Sequence, residues 1–250
     1  MKNTKLVQLL KTFSPAEMKE FKDFVSSPVF NKNKKVIRLY ENLKKFYPGF
    51  NNPKLTDEKI FEVIFPGEKY NYFKIRNISS DLFALGKEFL IFLYQKTNDD
   101  YNYKEVFLLT QLRDRKLDPV FEQHHKLYSD TIENSAIKDE YYFYQKHLLT
   151  DEMAFYLAPR EPNTNLPHLQ NSMNDFLKFS LIKLLKFYNI MLHEKKQNNF
   201  DYDTKMLDEV LSYIDRNKSE DNPTLLIYYY IILLEKEKQA KYFFELKKLK

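Results

Sequence analysis

Apolar residues recur at three- and four-residue spacing through almost every segment of this chain, and the sustained alternation that marks a half-buried strand is nearly absent. No Asn-Gly or Asp-Gly pair is present to close a tight hairpin. The chain therefore reads as all-α. With 250 residues, 43% of them hydrophobic, it can bury a substantial core.

Helix punctuation marks the elements. In "FSPAEM", residues 13–18, Ser14 is placed as N-cap, Pro15 at the first helical position and Glu17 where a capping box needs it, with Phe13 set to staple onto Met18. Met18, Phe21, Phe24 and Val25 share one face until Ser27-Pro28 ends that helix. A third helix carries Val36, Leu39, Tyr40, Leu43 and Phe46, and a short fourth is capped by Thr56 and halted at Pro66. The stretch "FPGEKYNYFKIRNISSDLFALGKEFL", residues 65–90, then reads as a stop, a turn and a long helix. Asn71 is its N-cap, and Ile75, Ile78, Leu82, Leu85, Gly86 and Phe89 form its core stripe.

Polar residues cluster at "TNDD", residues 97–100, which sets a boundary between a basic helical module at 1–97 and an array of antiparallel helical hairpins, solenoid-like, at 98–250. Within the array the spacing predicts helices over 102–115, 119–134, 137–157, 167–197, 203–216, 224–236 and 239–250. "APREPNTNLP", residues 158–167, is the longest irregular loop and a candidate mobile or binding segment. The helix after it carries two adjoining stripes, Leu169, Met173, Phe176 and Leu184 on one and Leu177, Leu181, Leu185, Tyr188 and Leu192 on the next. Stripes that wide predict neighbours on both sides.

Several activities find no support. The three glycines, Gly49, Gly67 and Gly86, lie too far apart for a dinucleotide loop or a phosphate loop. Without cysteine there is no disulfide, thiolate nucleophile or Cys-ligated metal. No cofactor is expected. The N-terminal "MKNTKLVQLLKTF" spaces charges through its apolar residues, so neither a signal peptide nor an anchor is expected, and the chain reads as cytoplasmic. Its longest uncharged apolar run, "TLLIYYYIILL", has 11 residues against the roughly 20 a bilayer requires, so no membrane span is expected.

Side-chain chemistry points to structure more than catalysis. Of the five histidines, His124, His125, His147, His168 and His193, none forms an H-E-x-x-H pattern, and adjacent His124 and His125 point about 100° apart on a helix. Asp201 and Asp203 read as caps of the helix predicted to follow them. No G-x-S-x-G elbow is present, although the sequence leaves a Ser-His-Asp grouping open. The clusters "YYFY", residues 141–144, and "YYY", residues 228–230, read as core, with a minority of the tyrosines reaching a surface where they would suit protein binding.

Charge singles out the front of the chain. Residues 1–97 hold 18 Lys/Arg against 10 Asp/Glu, a net +8, whereas residues 98–250 hold 22 against 25, a net −3. Lys74, Arg76 and Asn77 at the start of the long front helix are the candidate nucleic-acid contacts, although 34 of the 40 cations are lysine, and arginine is the usual bidentate reader. At the other end, Tyr242, Phe243 and Leu246 continue a helical stripe without a polar closing helix. They are the candidate contacts for a partner or for self-association, with Phe243→Glu expected to favour the monomer. The same ending would also suit an excerpt of a longer repeat array.

Three resemblances accompany these residues. "NPTLLIYYYIILLEKEKQAKYFFELKKL", within residues 101–250, resembles a tetratricopeptide-like hairpin, which implies an α-solenoid that binds protein or peptide partners. It departs from that family in having no glycine where paired helices touch, which implies contacts through larger side chains. The whole chain resembles bacterial helical proteins of unassigned activity that join a front module to such hairpins. Residues 56–90 resemble winged-helix regulators, with 60–64, Phe65-Pro66-Gly67 and 71–89 in the places of short helix, turn and recognition helix, but no β-wing follows. The expected function is a non-enzymatic protein-interaction scaffold with a protein or peptide partner or a second copy. The alternative is a nucleic-acid-binding regulator that uses the basic front module.

Overall fold

The structure, a computed structural model, describes residues 1–97, 103–161, 167–218 and 222–249. Among these residues every regular element is an α-helix, and there are twelve. The chain divides into two compact units, Met1–Asn98 and Asp99–Lys250. Residues 98–100 of the expected boundary lie outside the described residues, as do residues 162–166 of the proline-rich loop.

The N-terminal unit contains α1 (Lys5–Thr12), α2 (Pro15–Ser26), α3 (Lys34–Lys44), α4 (Asp57–Ile64) and α5 (Tyr72–Thr97). Local chemistry sets their starts. Ser14 Oγ accepts from the Glu17 amide at 3.2 Å while the Ser14 amide donates to Glu17 Oε2 at 2.6 Å, so both halves of the capping box form. Thr56 caps α4, and Asn71 Oδ1 accepts from the amides of Phe73 and Lys74 to start α5. Ser14→Ala is expected to lower the stability of this unit by about 1 kcal/mol, read as a shift in denaturant midpoint; an unchanged midpoint would show the cap to be redundant.

Helix α5 is the spine of the unit, and α1, α2, α3 and α4 all pack on it. It buries Ile75, Ile78, Leu82, Leu85 and Phe89. Phe21 of α2 sits at the centre, with the rings of Phe13, Tyr40 and Phe89 at 5.0–5.4 Å. Gly86 lets α1 approach: a Cβ there would lie 2.6 Å from Leu9 Cδ2.

The C-terminal unit contains α6 (Tyr103–Asp114), α7 (Asp118–Glu133), α8 (Glu140–Leu157), α9 (Pro167–Asn198), α10 (Leu207–Arg216), α11 (Pro223–Glu237) and α12 (Ala240–Lys248). Two cores meet on α9. Ile182 completes a core made by α6, α7 and α8 around Leu109, Phe121 and Phe143, while Leu181, Leu185 and Tyr188 join α10 and α11 in a second. Consecutive residues 181 and 182 can serve different cores because a helix turns about 100° per residue.

Two sequence expectations need correction here. Of the two stripes on α9, Leu181, Leu185 and Tyr188 are buried, but Leu169, Met173 and Phe176 face solvent. The packed neighbours lie on the other flank, which Ile182 and the half-buried Phe179 reach. Asp201 and Asp203 do not cap α10, which starts at Leu207. Asp203 Oδ1 instead accepts from the Lys205 amide at 3.0 Å in a preceding turn, and Asp201 pairs with Lys195 at 3.2 Å.

Candidate functional site

The first candidate lies on the N-terminal unit, where the turn after α4 leads into α5. Lys74, Arg76 and Asn77 are all exposed, but their situations differ. Lys74 is committed within the unit: its ammonium pairs with Glu68 and lies 5.5 Å from the centre of the Phe65 ring, over which Lys35 also sits at 4.2 Å. That hydrogen bond holds the Glu68 carboxyl below its ordinary range. Arg76 and Asn77 lie on the outer face of α5, and no other described side chain engages either one.

The aromatic side chains of the same turn were not singled out by the sequence reading. Tyr70 is 41% exposed, Tyr72 51% and Phe73 69%. Tyr70 packs its edge on Phe61, and the Tyr72 and Phe73 rings meet edge to face at 5.8 Å. The available signal was phase, because Tyr72 and Phe73 fall off the stripe begun by Ile75 and Ile78. Beside them a groove of about 410 Å³ is lined by Asn3, Lys5, Tyr72, Arg76, Ser79 and Ser80 among others. The acid in that groove, Asp57, meets the Met1 amino group at 2.5 Å.

In the C-terminal unit, α7, α8 and α9 border an open polar cleft of about 390 Å³. His125, Ser129, Glu133, Lys146, Thr150, His168, Asn171, Asn174, Asp175 and Lys178 contribute to its wall. Lys146 is paired with Glu133 at 2.6 Å, and Glu133 also accepts from the Tyr142 hydroxyl. Burial lowers the affinity of His125 for a proton, and its Nε2 lies 3.1 Å from the Leu149 carbonyl. Burial pushes the Asp175 carboxyl up, against the pull of Lys146 and Lys178. These groups are spread over residues 125 to 178 on three helices, so no local motif announced them.

Nearby, Ser172, His147 and Asp151 do come together. Ser172 Oγ is 2.7 Å from His147 Nδ1 and donates to Asp151 Oδ1 at 2.8 Å. The serine therefore stands between imidazole and carboxylate, whereas an activated nucleophile needs the imidazole in the middle. Ser172 is buried, and the arrangement ties α8 to α9. Two other histidines have separate engagements: His124 Nε2 lies 2.5 Å from Glu105, and His125 turns to α8; His193 is exposed. Among the described residues no group of three or more His, Cys, Asp or Glu side chains is placed to hold a metal ion.

The remaining candidates are apolar. Leu169, Met173, Phe176, Phe187 and Ile190 fall on one face of α9 at four- and three-residue spacing, each roughly half exposed, interrupted by half-buried Ser180 and Lys183. At α12, Tyr242 is half-buried, stacks on Tyr230 at 6.3 Å and donates to Glu237 at 2.6 Å. Leu246 is also half-buried, whereas Phe243 and its neighbour Phe244 point outward. The three candidate contacts of this helix are thus split between an inner and an outer side. In the aromatic clusters, Tyr142, Phe143 and Tyr229 are buried, and Tyr141, Tyr144, Tyr228 and Tyr230 are half-buried.

No helix among the described residues is long and apolar enough to cross a membrane. No protein-family model matches the chain, and no curated protein or solved structure matches it.

Proposed function

We propose that this protein is a non-enzymatic interaction scaffold whose C-terminal helical array, of solenoid type, binds a protein or peptide partner. The observation that supports this reading is the apolar row on α9. Leu169, Met173, Phe176, Phe187 and Ile190 spend exposed apolar surface on a helix whose opposite side already fills two cores. Such rows on otherwise well-packed units mark contacts with other molecules. Their spacing matches that of a partner helix laid along α9, with Lys183 at mid-row to set its register.

The test compares partners captured by the wild-type chain and by Met173→Glu/Phe176→Glu, with and without nuclease. These positions are exposed, so the variant should keep its helical circular dichroism. At least a tenfold loss of one specific captured protein is expected; an identical capture profile would reject the row as the docking face. Light scattering on the same samples separates a different partner from a second copy, including one that docks through Phe243 and Phe244 of α12.

A second reading, a nucleic-acid-binding regulator, is favoured by a different observation. Arg76 and Asn77 stand exposed and unengaged on the outer face of α5, in a unit of net charge +8 over residues 1–97.

A further inference from the structure

We infer that the turn into α5 and the outer face of its first turns form a site for single-stranded nucleic acid, with bases stacked on Phe73 and Tyr72 and the backbone held by Arg76, Lys69 and Lys5. This rests on the second reading above and narrows it to one kind of nucleic acid and one mode of contact.

The aromatic rings carry the argument. Phe73 is 69% exposed at the start of a 26-residue helix whose core stripe begins two residues later. Its only close ring neighbour among the described residues is Tyr72, itself half exposed. Neither ring fills the core, so their exposure has no counterpart in the stability of the unit. An exposed phenylalanine and tyrosine side by side offer flat faces on which unpaired bases stack without regard to sequence.

The charges lie where a backbone would run. Arg76 follows Phe73 by three residues and Tyr72 by four, so on a helix it shares a face with both. Lys69 is exposed in the turn just before. Lys5, Asn3 and Ser80 continue the polar lining along the neighbouring groove, supplying a third cation and neutral donors for phosphate oxygens. Lys74 is not part of the site, because Glu68 holds it and its ammonium lies over the Phe65 ring.

A double helix fits this face poorly. Its base faces are hidden in the stack, so it could offer Phe73 and Tyr72 base edges, sugar and phosphate but no face to stack on. A helix that reads the major groove relies on polar side chains at base edges, whereas the outward positions here begin with a bare phenylalanine. Single strands present the missing partner for the rings and phosphates for the cations at once.

The test uses fluorescence anisotropy on the full chain with labelled oligo(dT) of about 20 nucleotides and a duplex of equal length, at about 50 and 200 mM salt. The single strand is expected to bind more tightly than the duplex and to weaken steeply with salt. Phe73→Ala and Tyr72→Ala should each weaken it about tenfold, and Arg76→Ala should flatten the salt slope by about one. All three positions are exposed, and circular dichroism checks that the variants fold. Equal affinity for duplex with no effect of Phe73→Ala would overturn stacking while leaving nucleic-acid binding intact. Binding of neither probe at the lower salt would overturn both.

Discussion

Phe21→Ala is expected to destabilise the N-terminal unit by about 4 kcal/mol. The ring is fully buried and is the hub of the aromatic cluster, with Phe13, Tyr40 and Phe89 at 5.0–5.4 Å and Phe24 at 6.5 Å. Removing it forfeits the transfer of the side chain out of water and leaves a void lined by rings. These rings come from α2, α3, α5 and the end of α1, so the void cannot close by moving one helix. A loss of that size is a large part of the stability of an ordinary domain, roughly 5–15 kcal/mol. Denaturant unfolding would show a lower midpoint at unchanged slope, and hydrogen exchange would place the weakening in α1–α5. A loss under about 2 kcal/mol would show that the neighbouring rings refill the space.

Lys186→Met is the matching experiment in the C-terminal unit, with an expected loss of about 3 kcal/mol. Glu140, in the first turn of α8, is 2% exposed, and the Lys186 ammonium of α9 donates to its Oε1. Its other oxygen has no hydrogen-bond partner among the described residues. Burial alone would lower the proton affinity of Lys186, but the hydrogen bond to Glu140 and the charge of that carboxylate outweigh it, and the net shift is upward. Deleting the cation strands a buried carboxylate, which is the costly way to break such a pair. Replacing both partners, Glu140→Met with Lys186→Met, removes the stranded charge and is expected to recover most of the loss. A single mutant within about 1 kcal/mol of wild type would mean that Glu140 reaches water when unpaired.

The candidate sites were legible in uneven degree. Arg76 and Asn77 could be placed on the outer face of α5 because Ile75, Ile78 and Leu82 fix its inner one, and the same phase would have exposed Phe73 had the aromatic residues been followed as closely as the cations. Lys74 could not be told from Arg76 in this way. Its commitment depends on Glu68, across a turn whose path is not given by periodicity, and on Phe65 lying beneath it. The cleft in the C-terminal unit was invisible, since His125, Lys146 and Asp175 converge only when α7, α8 and α9 pack. The Ser172, His147 and Asp151 contact was equally hidden, and its order, which argues against nucleophilic chemistry, is a matter of a few ångströms.

What the sequence by itself determined is the set of helices and most of their ends. The capping box of Ser14 and Glu17, the caps at Thr56 and Asn71 and the core stripe of α5 are made by residues within a few positions of one another, so spacing alone specifies them. Only the tertiary structure decided which stripes would be covered. On α9, Leu169, Met173 and Phe176 are as apolar and as regularly spaced as Leu181, Leu185 and Tyr188. The second set is buried because α10 and α11 lie against it, and the first is left to solvent. Burial belongs to pairs of surfaces, and a stripe read along one helix carries no record of which neighbour reaches it.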